Sequence, residues 1–209
     1  MIGSFHKFSM KKLCSLLLAA LLLFSFTACS QKSYSHKEIE EALEVLLEET
    51  HLLNDIYFGE GIPVKQNGYT TGVYQEADMS SLKAYGITDI ESLRAKTAEV
   101  FSISMCAWLD ELAFNAFSSG VTVEGARYYK DSKGRIMVRT TADVYVDGAV
   151  SYDVSTMKIV SQRKDIVSCN LVATVTTQSG LTRSDTIKVD LIKEQNGWRL
   201  HSPTYFVYD

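Results

Sequence analysis

The chain has 209 residues, 46% of them hydrophobic and 22% charged, with 21 Lys and Arg against 25 Asp and Glu. That length suits one domain with a sizeable core. The acidic balance excludes nucleic acid or an anionic lipid surface as the main partner, because phosphate binding needs clustered cations.

Lys7, Lys11 and Lys12 make a positive stretch, Leu13 to Phe26 an apolar core, and Phe26-Thr27-Ala28-Cys29 leads through two small residues to a thiol. In that order these parts resemble a bacterial lipoprotein signal peptide ending in a lipobox, with Phe26 where the pattern prefers Leu. Two other readings are an uncleaved membrane anchor and an ordinary secretory signal cut near Ala28. Against the first, the apolar core makes only about 21 Å of helix, and a bilayer's hydrocarbon layer is about 30 Å thick. The resemblance implies that residues 1–28 are removed, that Cys29 carries lipid such as palmitate, and that the protein is held outside the cytoplasm at the cell membrane. Residues 1–28 hold three of the Lys and Arg and none of the Asp and Glu, so the mature chain stands at −7. Ser30 to Ser35 then form a short tether that reaches about 20 Å when extended. No later stretch is apolar enough to span a bilayer.

Ser35-His36-Lys37-Glu38 predicts a capping box, in which the serine hydroxyl and the glutamate carboxylate satisfy backbone amides at a helix start. Ile39, Leu43, Leu46, Leu47, Leu53 and Ile56 follow at helical spacing, with Glu40, Glu41, Glu44, Glu48 and Glu49 mostly opposite, and Gly59 and Gly61 end the helix after Tyr57 or Phe58. The glutamate run reads as a solvated face. From Gly61 to Met79 the chain is expected to be irregular around a short extended Tyr69 to Gln75. Thr88-Asp89-Ile90-Glu91 predicts a second capping box and a helix carrying Leu93, Thr97, Val100 and Phe101. A third helix follows Ser102 with Met105, Trp108, Leu109, Leu112 and Phe117.

After Gly120 the period changes to two. Asp131-Ser132-Lys133-Gly134, Asp147-Gly148, Ser179-Gly180 and Asn196-Gly197 predict hairpins. Val167, Cys169, Leu171, Ala173 and Val175 alternate with polar or β-branched residues, as do Ile187, Val189 and Leu191. The half reads as an antiparallel meander of about five or six strands with one face on the helices, giving an α+β class. Pro63 and Pro203 are the only prolines, so no proline-rich linker divides the domain. Cys106 and Cys169 fall in an apolar helical run and on an inward strand phase. Buried free thiols are expected there, with a disulfide as the alternative that export permits.

Helices followed by an antiparallel meander that ends in a hairpin at Asn196-Gly197-Trp198-Arg199-Leu200 resemble the NTF2-like (cystatin-like cone, SnoaL-like) fold over residues 36–209. The resemblance implies N-terminal helices packed on a curved antiparallel sheet, with a pocket at the wide end of the cone and dimerisation through the open sheet face. It covers small enzymes, ligand-binding modules and secreted lipoproteins, so it leaves the activity open.

Hydrolase nucleophile motifs, a P-loop, a dinucleotide fingerprint and an HExxH helix are all absent. His36, His51 and His201 stand far apart without paired cysteines, so no zinc site and no cofactor is expected. Enzymes of the resembling fold put an Asp, His or Tyr in the pocket, which singles out Asp55, Tyr57, Tyr129 and His201 as candidate pocket residues. A desolvated Asp55 would rise towards a useful base; the alternative is a solvent-facing helix end bonded to the loop. Tyr128 and Tyr129 are adjacent and so point to opposite sheet faces. Tyr69, Tyr74, Tyr205, Phe206 and Tyr208 suit a carbohydrate, peptide or protein surface as well as ordinary strand packing. The expectation is a non-enzymatic, lipid-anchored binding or assembly module of the cell envelope, with a protein or cell-wall partner. A small-pocket enzyme of isomerase or hydrolase type using Asp55 or His201 as base is the alternative.

Overall fold

Ser35 caps the first helix of the computed structural model, which describes residues 33–115, 117–118, 123–142 and 148–204. All but Ser33 belong to one unit, Tyr34–Asp209. The class is α+β, with three α-helices and antiparallel sheets among the described residues. Helix α1 runs His36–Phe58. The Ser35 Oγ accepts from the Glu38 amide as expected, but Glu38 does not fold back to complete the box. Its Oε1 accepts instead from Trp198 Nε1 at 3.1 Å and from Lys193 Nζ at 3.3 Å. A buried indole N–H needs an acceptor, and the terminal hairpin supplies that need more strongly than the exposed Ser35 amide does. Ile39, Leu43, Leu47, Leu53 and Ile56 are all fully buried along one side. Gly59 is the C-cap, its amide bonded to Asn54 O and Asp55 O, and a Cβ there would lie 2.3 Å from Asp55 Oδ1.

The irregular segment holds more order than its glycines suggest. Strands β1 (Thr70–Thr71) and β2 (Tyr74–Glu76) form a tight hairpin across Gly72-Val73, and a 3₁₀ helix at Met79–Tyr85 follows without a clear sequence signal. Helix α2 is Ile90–Val100, and its capping box sits one residue later than Thr88. Asp89 is the cap and Ser92 its partner: the Asp89 carboxylate accepts from the Ser92 amide and the Ser92 hydroxyl from the Asp89 amide, and aspartate ranks above threonine as a cap. Helix α3 is Ile103–Phe114, capped by Ser102. Met105, Leu109 and Ala113 are buried, but Trp108 is 42% exposed and does not fill the core, and Phe117 lies beyond the helix end.

The strands divide between sheets rather than forming one meander. Strands β3 (Phe117–Ser118) and β4 (Val123–Glu124) pair with each other. Strands β5 (Tyr128–Lys130) and β6 (Ile136–Arg139) form the hairpin expected around Asp131–Gly134. Their sheet then takes in β2 and β1, in the order β1-β2-β6-β5, with Gln75 opposite Val138. Pairing across some sixty residues leaves no local trace in a sequence, which is why this partnership was illegible there.

The second four-stranded sheet is a true meander of β7 (Ala149–Arg163), β8 (Ile166–Thr176), β9 (Thr182–Glu194) and β10 (Gly197–Leu200). The turns at Ser179-Gly180 and before Gly197 fall where expected. The β7–β8 turn is Lys164-Asp165, with Lys164 at φ 55°, a left-handed position that a lysine seldom signals. The Asp147-Gly148 expectation falls largely outside the described residues. Strand β7 slips register between Asp153 and Lys158 and again between Ile159 and Ser161. At the first slip Thr156 Oγ1 accepts from the Val172 amide at 2.9 Å and replaces the missing ladder bond.

Val167, Cys169, Leu171, Ala173, Val175, Val189 and Leu191 are inward and buried, as their alternation requires, and share one apolar cluster with the α1 side chains. Cys106 and Cys169 are free thiols. Among the described residues no helix is long and apolar enough to cross a membrane.

Candidate functional site

A cleft of about 390 Å³ opens where the β1-β2-β6-β5 sheet meets the 3₁₀ helix and the start of α2. Short-range chemistry builds it. The Ala77 amide bonds to Ile136 O at 2.8 Å and continues the β2–β6 pairing, and the Asp78 amide bonds to Pro63 O at 2.6 Å. Asp78 then caps the 3₁₀ helix, accepting from the Ser80 amide at 3.0 Å and the Ser80 hydroxyl at 2.5 Å. Gly86, at φ 76°, closes that turn in the left-handed region and brings Ile87 into the core. Three residues later Asp89 caps α2.

Four cations line the cleft: Lys65, Lys83, Lys130 and Arg135. Two are engaged. Lys65 Nζ bonds Glu76, and Arg135 lays two guanidinium nitrogens on Asp131 Oδ2, at 2.8 and 2.7 Å, beneath the Tyr69 ring at 3.8 Å. Three carboxylates face the same space, and each is held below the usual carboxylate range. The Lys65 ammonium does this for Glu76, the Ser80 hydroxyl and amide for Asp78, and the Ser92 hydroxyl and amide for Asp89. All three are therefore ionised at neutral pH and already committed as acceptors. Lys83 and Lys130 lower Asp78 and Asp89 through space, yet neither ammonium makes an ion pair or hydrogen bond among the described residues.

The residues singled out in the sequence do not converge here or on one another. Asp55 opens with His51 and Asn54 into a separate cavity of about 240 Å³. Burial of its carboxyl pushes the pKa up, against the pull of the Glu60 amide it accepts from at 3.1 Å. The residue as a whole is exposed, so water screens that push. Tyr57, two positions on, faces a different crevice of about 250 Å³ beside Arg94, Cys106 and Asp110. Its hydroxyl lies 2.9 Å from Thr97 Oγ1; because Thr97 donates to Leu93 O at 2.8 Å, Tyr57 is the donor. That pair explains the polar gap in the α2 stripe, and burial drives the Tyr57 pKa up to about 12.

Tyr129 stands edge-on against Tyr74, ring centroids 4.8 Å apart. His201 Nδ1 meets Ser102 Oγ at 2.8 Å and Ser104 Oγ at 3.3 Å, fastening the end of β10 to the start of α3. Cys29 lies outside the described residues. The Cys106 thiol donates to Phe101 O at 3.4 Å and is pushed up to about 11 by burial, a weak nucleophile at neutral pH.

Sequence reasoning passed over Lys83 and Lys130, which read as ordinary surface lysines. The turn that holds Gly134 and the caps at Asp78 and Asp89 were the local signals, but only the β2–β6 pairing brings them together. It also passed over Asn54 and Tyr152, whose side chains meet at 3.1 Å over a Thr204 bonded to both. Among the described residues no group of His, Cys, Asp or Glu is arranged to hold a metal ion. Compared with protein-family models, curated proteins and solved structures, the chain matches none.

Proposed function

We propose that this chain is a non-catalytic binding module of the bacterial cell envelope, lipid-anchored through Cys29, that takes its ligand in the cleft between the β1-β2-β6-β5 sheet and the start of α2. The observation that carries the reading is that cleft: about 390 Å³ of space lined by charged groups, with committed carboxylates and uncommitted ammonium groups side by side. The acid–base candidates support it by being otherwise employed. Tyr57 is bonded to Thr97, and His201 to two serines that cap and open α3. The NTF2-like reading belongs to the same proposal, supported by the element order and by the slipped, bent β7 at the edge of the meander.

Two measurements test it. Cys29→Ala should move the protein from the membrane pellet to the soluble fraction, and unchanged sedimentation sinks the lipid anchor. Amide spectra of the full chain, titrated with fractionated envelope extract and a panel of charged and neutral small molecules, should show saturable shifts at residues 77–80 and 88–90. Shifts at neither segment with any fraction sink the cleft as the working part.

One observation favours a second reading, an enzyme using Asp55 as base: its carboxyl is raised by burial and shares a cavity with His51. A hydrolase or isomerase activity abolished by Asp55→Asn would establish that alternative.

A further inference from the structure

We infer that the cleft's ligand carries an oxyanion, a carboxylate or phosphate group, held between Lys83 and Lys130; this rests on the binding reading above and names the ligand class. Most charged groups in the cleft already have partners. Glu76 is spent on Lys65 and on the Tyr69 amide, which it meets at 3.4 Å. Asp78 accepts from Ser80 through Oδ1, and Asp89 through Oδ1 from Ser92, whose amide lies at 2.7 Å and hydroxyl at 2.6 Å. Arg135 is spent on Asp131 and stacked on Tyr69. What remains is two ammonium groups, from the end of β5 and from the 3₁₀ helix, lining one space.

A ligand that offered donors would meet carboxylates that already accept from Lys65, Ser80 and Ser92. A ligand that offers a charged acceptor meets six ammonium N–H donors with nothing among the described residues to satisfy them. The whole protein is acidic, and in the cleft four cations stand among the carboxylates of Glu76, Asp78 and Asp89 and the Asp131 paired with Arg135. That arrangement favours a small or tethered anion over an extended polyanion, because a polyanion would be repelled by the rest of the surface. The cleft's volume agrees with a ligand of modest size.

The test uses the full chain, with inorganic phosphate and succinate as the two probes, read by amide shifts in low salt. The expected result is saturable movement at residues 77–80, 88–90 and 130 with at least one probe, weakening as salt is added. Lys83→Gln and Lys130→Gln should each weaken that binding about tenfold, and together abolish it. Lys158→Gln, a lysine on β7 that does not line the cleft, should leave it unchanged. Response to phosphate alone, succinate alone or both identifies which oxyanion source the site accepts, and each supports the inference.

Undiminished binding in the Lys83→Gln, Lys130→Gln double variant overturns it, as does the absence of any shift with either probe. Binding of a neutral or cationic compound at the same amides, unaffected by the double variant, overturns the oxyanion class while leaving the binding module standing. A cleft silent to every probe and every envelope fraction overturns both.

Discussion

Glu38 in the first turn of α1 accepts from the indole of Trp198 in the last strand, 160 residues away, at 3.1 Å. The same Oε1 takes Lys193 Nζ at 3.3 Å, and the ammonium also sits 4.9 Å from the indole ring centre. The start of the domain is thus fastened to its final hairpin. Trp198→Phe keeps most of the buried ring and removes the donor, so it should cost about 1 kcal/mol. Glu38→Ala strands both donors and should cost about 2 kcal/mol. Urea midpoints read the difference; equal midpoints for wild type and Glu38→Ala would show the contact to be idle.

Tyr128→Phe should be more damaging than its single missing atom suggests. The hydroxyl donates to Ile56 O at 2.6 Å and accepts from the Ile62 amide at 3.1 Å, in a side chain with no exposure. Removing it leaves buried backbone groups at the end of α1 without a partner, a loss of about 2–3 kcal/mol. Thermal unfolding should show a lower midpoint with little change in the native circular dichroism.

Ser102→Ala removes a helix cap and a histidine partner together. Ser102 Oγ accepts from the Met105 amide at 3.4 Å and lies 2.8 Å from His201 Nδ1. A loss of about 1–2 kcal/mol is expected. Ser102→Asp, which retains the capping oxygen, should recover part of it, and a variant no better than alanine would contradict the capping account.

Two glycines in positive φ should respond differently to alanine. At Gly148, φ 126°, a Cβ would come 2.1 Å from Thr176 O, a backbone atom that cannot step aside. At Gly180, φ 82°, a Cβ would meet nothing within 4 Å. Gly180→Ala should therefore cost only the left-handed penalty of about 1 kcal/mol. Gly148→Ala adds a backbone clash and should unfold at clearly lower urea; matching midpoints would refute this contrast.

Stability should hold a plateau at neutral pH and fall on both sides. Glu76, Asp78 and Asp89 have lowered folded pKa values. The folded state favours their ionised forms, so their contribution is present above the ordinary carboxylate value of about 4 and is lost as pH falls through the lowered values. Cys169 has the opposite sign. Burial raises its thiol from 9.0 to about 11, so its contribution is complete below the unfolded value and disappears as pH rises through the folded one. Urea midpoints between pH 8 and pH 11 should decline, and Cys169→Ala should decline less steeply.

Much of the architecture was legible because it is written in short-range patterns. The α1 stripe from Ile39 to Ile56, the inward phase from Val167 to Val175 and the Asn196-Gly197 hairpin all follow from periods of 3.6 and 2 and from turn residues. What escaped is what depends on partners distant in sequence. Glu38 left its local amide for Trp198, and β2 joined β6 rather than leaving β6 to the meander. Lys164 adopts a glycine-like φ because the two strands it connects dictate the turn. The cleft was missed for the same reason: Lys83 and Lys130 are unremarkable until β5 and the 3₁₀ helix are set side by side.

The way the chain enters the domain has a mechanical consequence. The Tyr34 amide bonds to Gln162 Oε1 at 2.8 Å, its carbonyl takes Gln162 Nε2 at 3.0 Å, its hydroxyl reaches Asp165 at 3.1 Å, and its ring stands edge-on to Trp198 at 4.6 Å. A tension transmitted from upstream is shared by these contacts at once instead of peeling them singly. The force needed to start unravelling α1 from its first turn is correspondingly higher, and Gln162→Ala should lower the rupture force in single-molecule pulling from the N-terminus while leaving a pull from the C-terminus unchanged.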